Sequence, residues 1–159
     1  MNVYIAVCGP GTATEDEAEQ ARAVGRLLAE AGAVVVCGGM GGVMDAAAEG
    51  ASTAGGTVVG ILPGATREGA SPHLTVSIPT GFGEGRNVFV VRAADAVIAV
   101  GGAFGTLSEI ALALKIGTPV VGLGTWELAR GGASARTVEP SGSPEQAVER
   151  ALALAGERR

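Results

Sequence analysis

Short runs of valine, isoleucine and alanine alternate along this chain with stretches of helical apolar spacing, and this alternation limits the possible folds. The runs lack the strict alternation of a half-exposed strand, so each predicts a strand buried on both faces. The sequence predicts an α/β fold, with a doubly wound, Rossmann-like, mostly parallel sheet and helices on both faces. Strands are expected at 3–8, 33–37, 57–62, 96–100 and 119–123, and helices at 15–30, 43–54, 85–94 and 107–116.

The last thirty or so residues carry no motif that we identify with a function. Residues 134–138 predict a late strand, and residues 143–155 a closing helix with Ser143 as N-cap and Pro144 at its first position. A chain of 159 residues, 47% of them hydrophobic, is long enough to bury a core without disulfides, so we expect one domain over residues 1–159.

Composition excludes several classes of function. A net charge of −5 argues against nucleic acid as a partner, because such a surface needs clustered lysine and arginine. Glycines or charges interrupt every long apolar run and no signal peptide is visible at the start, so no membrane segment is expected and the predicted location is cytoplasmic. Two isolated cysteines and one histidine lack the spacing of metal ligands, so no metal site is expected.

An apolar strand at 96–100 runs into a glycine loop and then directly into a helix, which is a layout that binds anions. Glycines let backbone N–H groups approach a ligand, and the positive end of the helix points at the same place. Thr106 adds a hydroxyl group. We therefore predict a phosphate site formed by Gly101, Gly102, Ala103, Phe104, Gly105 and Thr106.

Two other glycine loops compete for this role. In CGPGTATED, Thr14 and Glu17 form a capping box and three carboxylates would repel a phosphate, so this loop ranks last. The loop after the second strand has only Asp45 as a nearby acid and is expected to form one wall of the site, through Gly38, Gly39, Met40 and Gly41.

Two charged residues stand out near the phosphate loop. Glu109 follows Thr106 with the spacing of a capping box, and from spacing alone this capping role is favoured. Arg86 lies in the first turn of a predicted helix, where a cation opposes the helix dipole. Surface exposure would explain it at little cost, whereas a bound phosphate or Glu109 would be a better partner.

The segment GGAFGTLSE resembles the PGGxGTxxE signature of the LONELY GUY (LOG) family of phosphoribohydrolases, also called lysine decarboxylase-like. Gly102, Gly105, Thr106 and Glu109 match, whereas Gly101 replaces the proline and Ala103 the second glycine. The family's Arg-Lys pair falls on Arg86 and Asn87, so the lysine is lost. The resemblance implies catalytic roles for Arg86 and Glu109 at the ribose and the glycosidic bond.

The longer segment GRNVFVVRAADAVIAVGGAFGTLSEIALALKIGTPVV resembles more closely the molybdenum-cofactor carrier-like branch of the same superfamily, which binds a phosphorylated pterin and is not known for hydrolysis. CGGMGGVMDAA is similar to the GGGxxGLM element of the family. Resemblance extends over residues 3–123.

Two functions follow as hypotheses. The first is hydrolysis of the N-glycosidic bond of a nucleoside monophosphate, and the alternative is non-catalytic binding of the molybdenum cofactor or a nucleotide. No cofactor is expected besides such a ligand, whose ring nothing in the sequence specifies. Lys115 is the only lysine and suits the negative end of its helix, so a lysine-dependent decarboxylase and a P-loop nucleotidase are rejected. A purely structural role is disfavoured, since two glycine loops beside a helix N-terminus have no packing purpose.

The predicted helix 107–116 is apolar almost all round. One face can cover the sheet and the other needs a second cover. The sequence therefore predicts a homodimer or a homotetramer that forms through this helix.

Overall fold

The computed structural model describes residues 1–135 and 137–158, and its centre is a seven-stranded sheet in the order β4-β3-β2-β1-β5-β6-β9. All neighbouring strands in this sheet are parallel, which confirms the predicted fold class. The strands are β1 Tyr4–Cys8, β2 Val34–Cys37, β3 Val58–Leu62, β4 Val76–Pro79, β5 Ala96–Val100, β6 Val120–Leu123 and β9 Val138–Pro140.

Helices cover both faces of the sheet. They are α1 Glu15–Glu30, α2 Val43–Thr53, α3 Asn87–Arg92, α4 Phe104–Lys115 and α5 Pro144–Glu157. One core packs α1, α2 and α5 against Ile5, Val7 and Val35, and the other packs α3 and α4 against Ala6, Cys8 and Val36. Alternate residues of β1 and β2 therefore serve opposite cores, as the pleat requires. No helix in the described part of the chain is long and apolar enough to cross a membrane.

Close contact between α1 and α2 depends on two glycines. A Cβ at Gly25 would lie 2.0 Å from the carbonyl oxygen of Ala47, and a Cβ at Gly50 would lie 2.0 Å from that of Arg22. Each helix therefore presents a glycine to the backbone of the other. Any larger residue at either position would force the helices apart.

The structure changes several predicted boundaries. Helix 107–116 begins three residues earlier, at Phe104, so the Gly105–Thr106 pair lies inside its first turn. The region predicted as helix 85–94 is a 3-10 turn, Gly83–Arg86, followed by α3. The segment before α5 contains the hairpin β7 Ala129–Arg130 and β8 Ala133–Ser134, and then β9. The predicted strand 134–138 spans two elements, because β8 ends at Ser134 and β9 begins at Val138, and Arg136 between them lies outside the described residues.

The backbone conformation of two glycines explains the β7–β8 hairpin, since Gly131 and Gly132 have φ of 61° and 80°. Two positive φ values in a two-residue loop match the twist of paired strands. The sequence does not predict β4, because exposed and partly buried residues alternate along this strand and form no apolar run. The closing helix and its Ser143 N-cap agree with the prediction, and the Ser143 hydroxyl accepts from the Gln146 N–H.

Candidate functional site

A cleft of about 500 Å³ opens at the carboxyl ends of the central strands. β1 lies between β2 and β5, so the chain runs toward one edge of the sheet through β2 and β3 and toward the other through β5 and β6. In a doubly wound sheet, this reversal of strand order leaves a crevice in which ligands bind. The loop Gly9–Gly11 after β1 and the first turns of α4 after β5 line it from either side.

The N-terminus of α4 offers unused hydrogen-bond donors to this cleft. Its N-cap is Ala103, with extended backbone, and within the described chain no side chain caps the first turn. The first intrahelical bond recorded runs from the Leu107 N–H to the Ala103 carbonyl, 3.0 Å away. The amides of Phe104, Gly105 and Thr106 are thus left without helical partners. The N-terminus of α1, in contrast, is closed by the capping box of Thr14 and Glu17.

Two further polar groups of the cleft are buried without a hydrogen-bond partner among the described residues. They are the Thr106 hydroxyl and the Nε of Arg86. Buried polar groups are nearly always paired, and an orphan costs about 1–3 kcal/mol. A hydroxyl, a guanidinium and a helix N-terminus on one cleft form a donor set for an anion.

Arg86 ends the 3-10 turn, and its guanidinium contacts three neighbouring groups, one of which is the Met44 sulfur 3.9 Å from Nη2. Its Nη1 donates to the Asn87 side-chain oxygen, and its Nη2 lies 3.4 Å from the Gly38 carbonyl oxygen. A Cβ at Gly38 would be 2.5 Å from Nη2, so the absence of a side chain at Gly38 makes room for the guanidinium. Asn87, which stands at the lysine position of the LOG family's Arg-Lys pair, thus orients Arg86.

Glu109 is a buried acid on the cleft, with 6% of its surface exposed. Burial raises the pKa of its carboxyl to about 7, against the opposing effects of the Arg86 charge and a hydrogen bond from Cys8. Burial also raises the pKa of the Cys8 thiol well above its ordinary value. The expected Thr106–Glu109 capping box is absent, because α4 starts at Phe104 and Thr106 is its third residue.

The structure brings part of the predicted site together. Arg86 and Glu109 share the cleft, although no ion pair joins them within the described residues. The other expected residues that line it are Ala103, Phe104, Gly105 and Thr106. Lys115 lies exposed at the opposite end of α4, away from the cleft.

The remaining expected residues do not line the cleft. Gly101 donates its N–H to the Leu123 carbonyl, so this amide is not free for a ligand, and Gly102 packs against the indole of Trp126. Gly38, Gly39, Met40 and Gly41 are not among the residues that line the cleft, although Gly38 lies against the Arg86 guanidinium.

The loop after β1 lines the cleft, whereas the sequence predicts that the loop 38–42 forms this wall of the site. Pro10 accepts a hydrogen bond from the Val43 N–H, and a Cβ at Gly42 would lie 2.2 Å from the Pro10 carbonyl oxygen. The second loop therefore supports the first from behind. The sequence feature that indicates this position of the first loop on the cleft is its GxG segment, which follows β1 at the point where strand order reverses. Asn87 and Met44 also line the cleft, together with residues that the sequence does not indicate, namely Pro63, Gly83, Glu84 and Ser108.

No group of three histidine, cysteine, aspartate or glutamate side chains is placed to hold a metal ion in residues 1–135 and 137–158. Both cysteines are buried free thiols. The polar groups of the cleft are suited to an anion and not to a bound metal.

Comparisons with known proteins agree with this architecture. The model of the SLOG cluster4 family matches residues 2–151. A protein of Archaeoglobus fulgidus is 46% identical over 121 residues, which make up 76% of this chain and 80% of the relative.

Two solved structures are similar over almost the whole chain. The molybdenum cofactor binding protein of the phototrophic bacterium Rippkaea orientalis is 37% identical with a TM-score of 0.90, and the alignment covers 97% of this chain and 98% of that one. The Moco carrier protein of Chlamydomonas reinhardtii is 32% identical with a TM-score of 0.86, over 99% of each chain. These findings confirm the resemblance to the carrier-like branch of the LOG superfamily, and the chain belongs to the SLOG cluster4 family.

Proposed function

We propose that this protein binds the molybdenum cofactor, a phosphorylated pterin, as a non-catalytic binding or carrier protein. The observation that carries the proposal is the unpaired donor set on the cleft, made by the N-terminus of α4, the Thr106 hydroxyl and Arg86. This set suits a phosphate group, and the cleft volume lies within the usual range for small-molecule sites. The similar solved structures, whose names refer to the same cofactor, support this choice of ligand.

The residues of this protein bind the organic part of the cofactor. The first-turn amides of α4 and the Thr106 hydroxyl donate to the phosphate, and Arg86 balances its charge. These local donors suffice in a chain of net charge −5, because the helix dipole and a guanidinium act at short range. Molybdenum enters and leaves with the pterin.

Retention of the cofactor tests this function. The protein is mixed with molybdenum cofactor released from a molybdoenzyme and freed of unbound cofactor by gel filtration. The retained pterin is then oxidised and measured by its fluorescence. Thr106→Val removes the hydroxyl and keeps the shape, and one hydrogen bond to a charged group contributes about 1.5–3 kcal/mol. We expect affinity to fall at least tenfold in this variant and in Arg86→Ala.

Arg92→Ala is the matched control, since Arg92 is an exposed arginine on α3 that lies outside the cleft. It should retain the pterin like the unchanged protein. Equal retention by all three variants, or no retention by the unchanged protein, would refute a cofactor site at this cleft.

A second candidate function is hydrolysis of the N-glycosidic bond of a nucleoside monophosphate, favoured by the position of Glu109 on the same cleft. A carboxylate beside the ribose would stabilise the developing oxocarbenium charge and orient water. Base release from AMP and from pyrimidine monophosphates is the assay. Glu109→Gln should abolish release while nucleotide affinity stays within a few fold, and Arg86→Ala should lower both. If the unchanged protein releases no base, the carrier function alone remains.

A further inference from the structure

Phe104 is an exposed aromatic residue at the N-terminus of α4. It is the first residue of the helix, 81% of its surface is exposed, and it lines the cleft. Leaving a phenylalanine in water forgoes about 1.5–3 kcal/mol of burial. Within the described chain, packing leaves most of this ring uncovered, so its open face is available to a ligand.

The loop after β6 holds the Phe104 ring from one side. Trp126 lies with its ring centroid 5.7 Å from that of Phe104, at an interplanar angle of 35°. Its indole N–H donates to the Ala103 carbonyl over 3.2 Å. A Cβ at Gly102 would lie only 2.7 Å from the same nitrogen, so the indole sits directly against the backbone before α4.

The pair stands between two clefts. Phe104 lines the cleft that holds Arg86 and Glu109, and Trp126 lines a neighbouring cleft of about 710 Å³ that β9 also lines. Trp126 therefore backs the phenylalanine, whose other side remains open to the first cleft. An aromatic ring with one supported and one open face is a surface on which another flat ring stacks.

We propose that Phe104, backed by Trp126, is the stacking platform for the flat heteroaromatic ring of the ligand whose phosphate binds at the N-terminus of α4. This inference rests on the proposed function, because the phosphate defines where the ring begins. The amides for the phosphate and the Phe104 ring belong to the same helical turn, so one small molecule reaches both. Stacking favours a pterin and a purine alike, since every such ring has a π face, and it adds nothing to the binding of a sugar phosphate, which has none.

Trp126 is the only tryptophan in the chain, so its fluorescence reports on the platform directly. Three probes separate the contributions: 6-hydroxymethylpterin phosphate, AMP and ribose 5-phosphate. The two ring-bearing probes should change the Trp126 emission, and ribose 5-phosphate should bind without doing so. The tighter of the two ring-bearing probes identifies the class of ring that the cleft prefers.

Phe104→Leu keeps an apolar side chain and removes the π face. We expect it to weaken binding of the preferred ring-bearing probe about tenfold and to leave the calorimetric affinity for ribose 5-phosphate within twofold. Phe89→Leu is the matched control, because Phe89 is a partly exposed phenylalanine on α3 outside both clefts. It should bind all three probes like the unchanged protein.

The outcomes distinguish the platform from the phosphate site. If Phe104→Leu binds the ring-bearing probes as tightly as the unchanged protein while Thr106→Val weakens all three, the platform is refuted and the phosphate site stands. If the unchanged protein binds none of the probes, the phosphate site fails and the platform with it.

Discussion

The Cys8 thiol at the end of β1 and the Glu109 carboxyl group in the second turn of α4 are buried near each other, and each shifts the pKa of the other. Both residues belong to elements that meet where the strand order reverses. Burial outweighs the thiol and the Arg86 charge, and the pKa of Glu109 rises to about 7. The acid therefore changes charge near neutral pH.

This pKa makes folding stability depend on pH. Below about pH 4.5 Glu109 is protonated in both the folded and the unfolded chain. Its contribution to the free energy of unfolding is then fully present. Between pH 4.5 and 7 only the folded protein keeps the proton, so stability falls as pH rises. Above pH 7 the free energy of unfolding is therefore lower than at pH 4.5 by on the order of 3 kcal/mol. Glutamine does not titrate, so Glu109→Gln should not lose this stability. The free energy of unfolding of the variant, measured in urea, should therefore rise relative to that of the unchanged protein by this amount between pH 4.5 and 8.

Glu139→Gln supplies a contrast. The hydrogen bond from Arg150 lowers the pKa of Glu139, so its stabilisation is present at neutral pH and lost in acid. The pair is exposed, and its effect should be small and opposite in sign. If the stability difference between Glu109→Gln and the unchanged protein were constant across this pH range, the raised pKa would be contradicted.

Gly38→Ala should disturb the site more than the fold. The new methyl group would lie 2.5 Å from the Arg86 Nη2 and from the Met44 sulfur, which are ends of flexible side chains and can move aside. We expect a modest change in melting temperature and a loss of phosphate affinity approaching that of Arg86→Ala, measured by calorimetry. Gly156→Ala, with nothing within 4 Å of its Cβ, is the control. Unchanged phosphate affinity in Gly38→Ala would show that Arg86 does not need its present position.

Local sequence patterns account for the strand, glycine loop and helix around the N-terminus of α4, and they mislead on the capping role of Glu109. A strand, a glycine loop and a helix are neighbours in the chain, so their shared anion-binding layout is visible in the sequence. The spacing of Thr106 and Glu109 also fits a capping box, and only the start of α4 at Phe104 decides against it. The pKa of Glu109 also depends on Cys8 and Arg86, which are distant along the chain. The support of Gly38 for Arg86 is likewise a contact between elements, and a single sequence does not reveal it.

The crossing of α1 and α2 gives a prediction about stability alone. In Gly50→Ala the new Cβ would meet the Arg22 carbonyl oxygen, which is backbone and cannot rotate away. Overpacking of this kind costs about 1–3 kcal/mol or more. Melting temperature should fall by several degrees, whereas Gly156→Ala should keep or slightly raise it. A Gly50→Ala protein as stable as the unchanged one would mean that the two helices separate freely.

The last prediction concerns assembly through α4. Ala111 is exposed at the middle of its outer face, and Leu107, Leu112 and Leu114 are only half-buried, so this face keeps apolar surface that a second copy would cover. Light scattering at micromolar concentration should give two or four times the mass of one chain. Ala111→Arg adds charge and bulk where the single chain has room, so it should lower the mass without lowering the monomer's helix content. Ala111→Ser, small and uncharged, should keep the oligomer. A monomeric unchanged protein, or an Ala111→Arg variant of unchanged mass, would place any interface elsewhere.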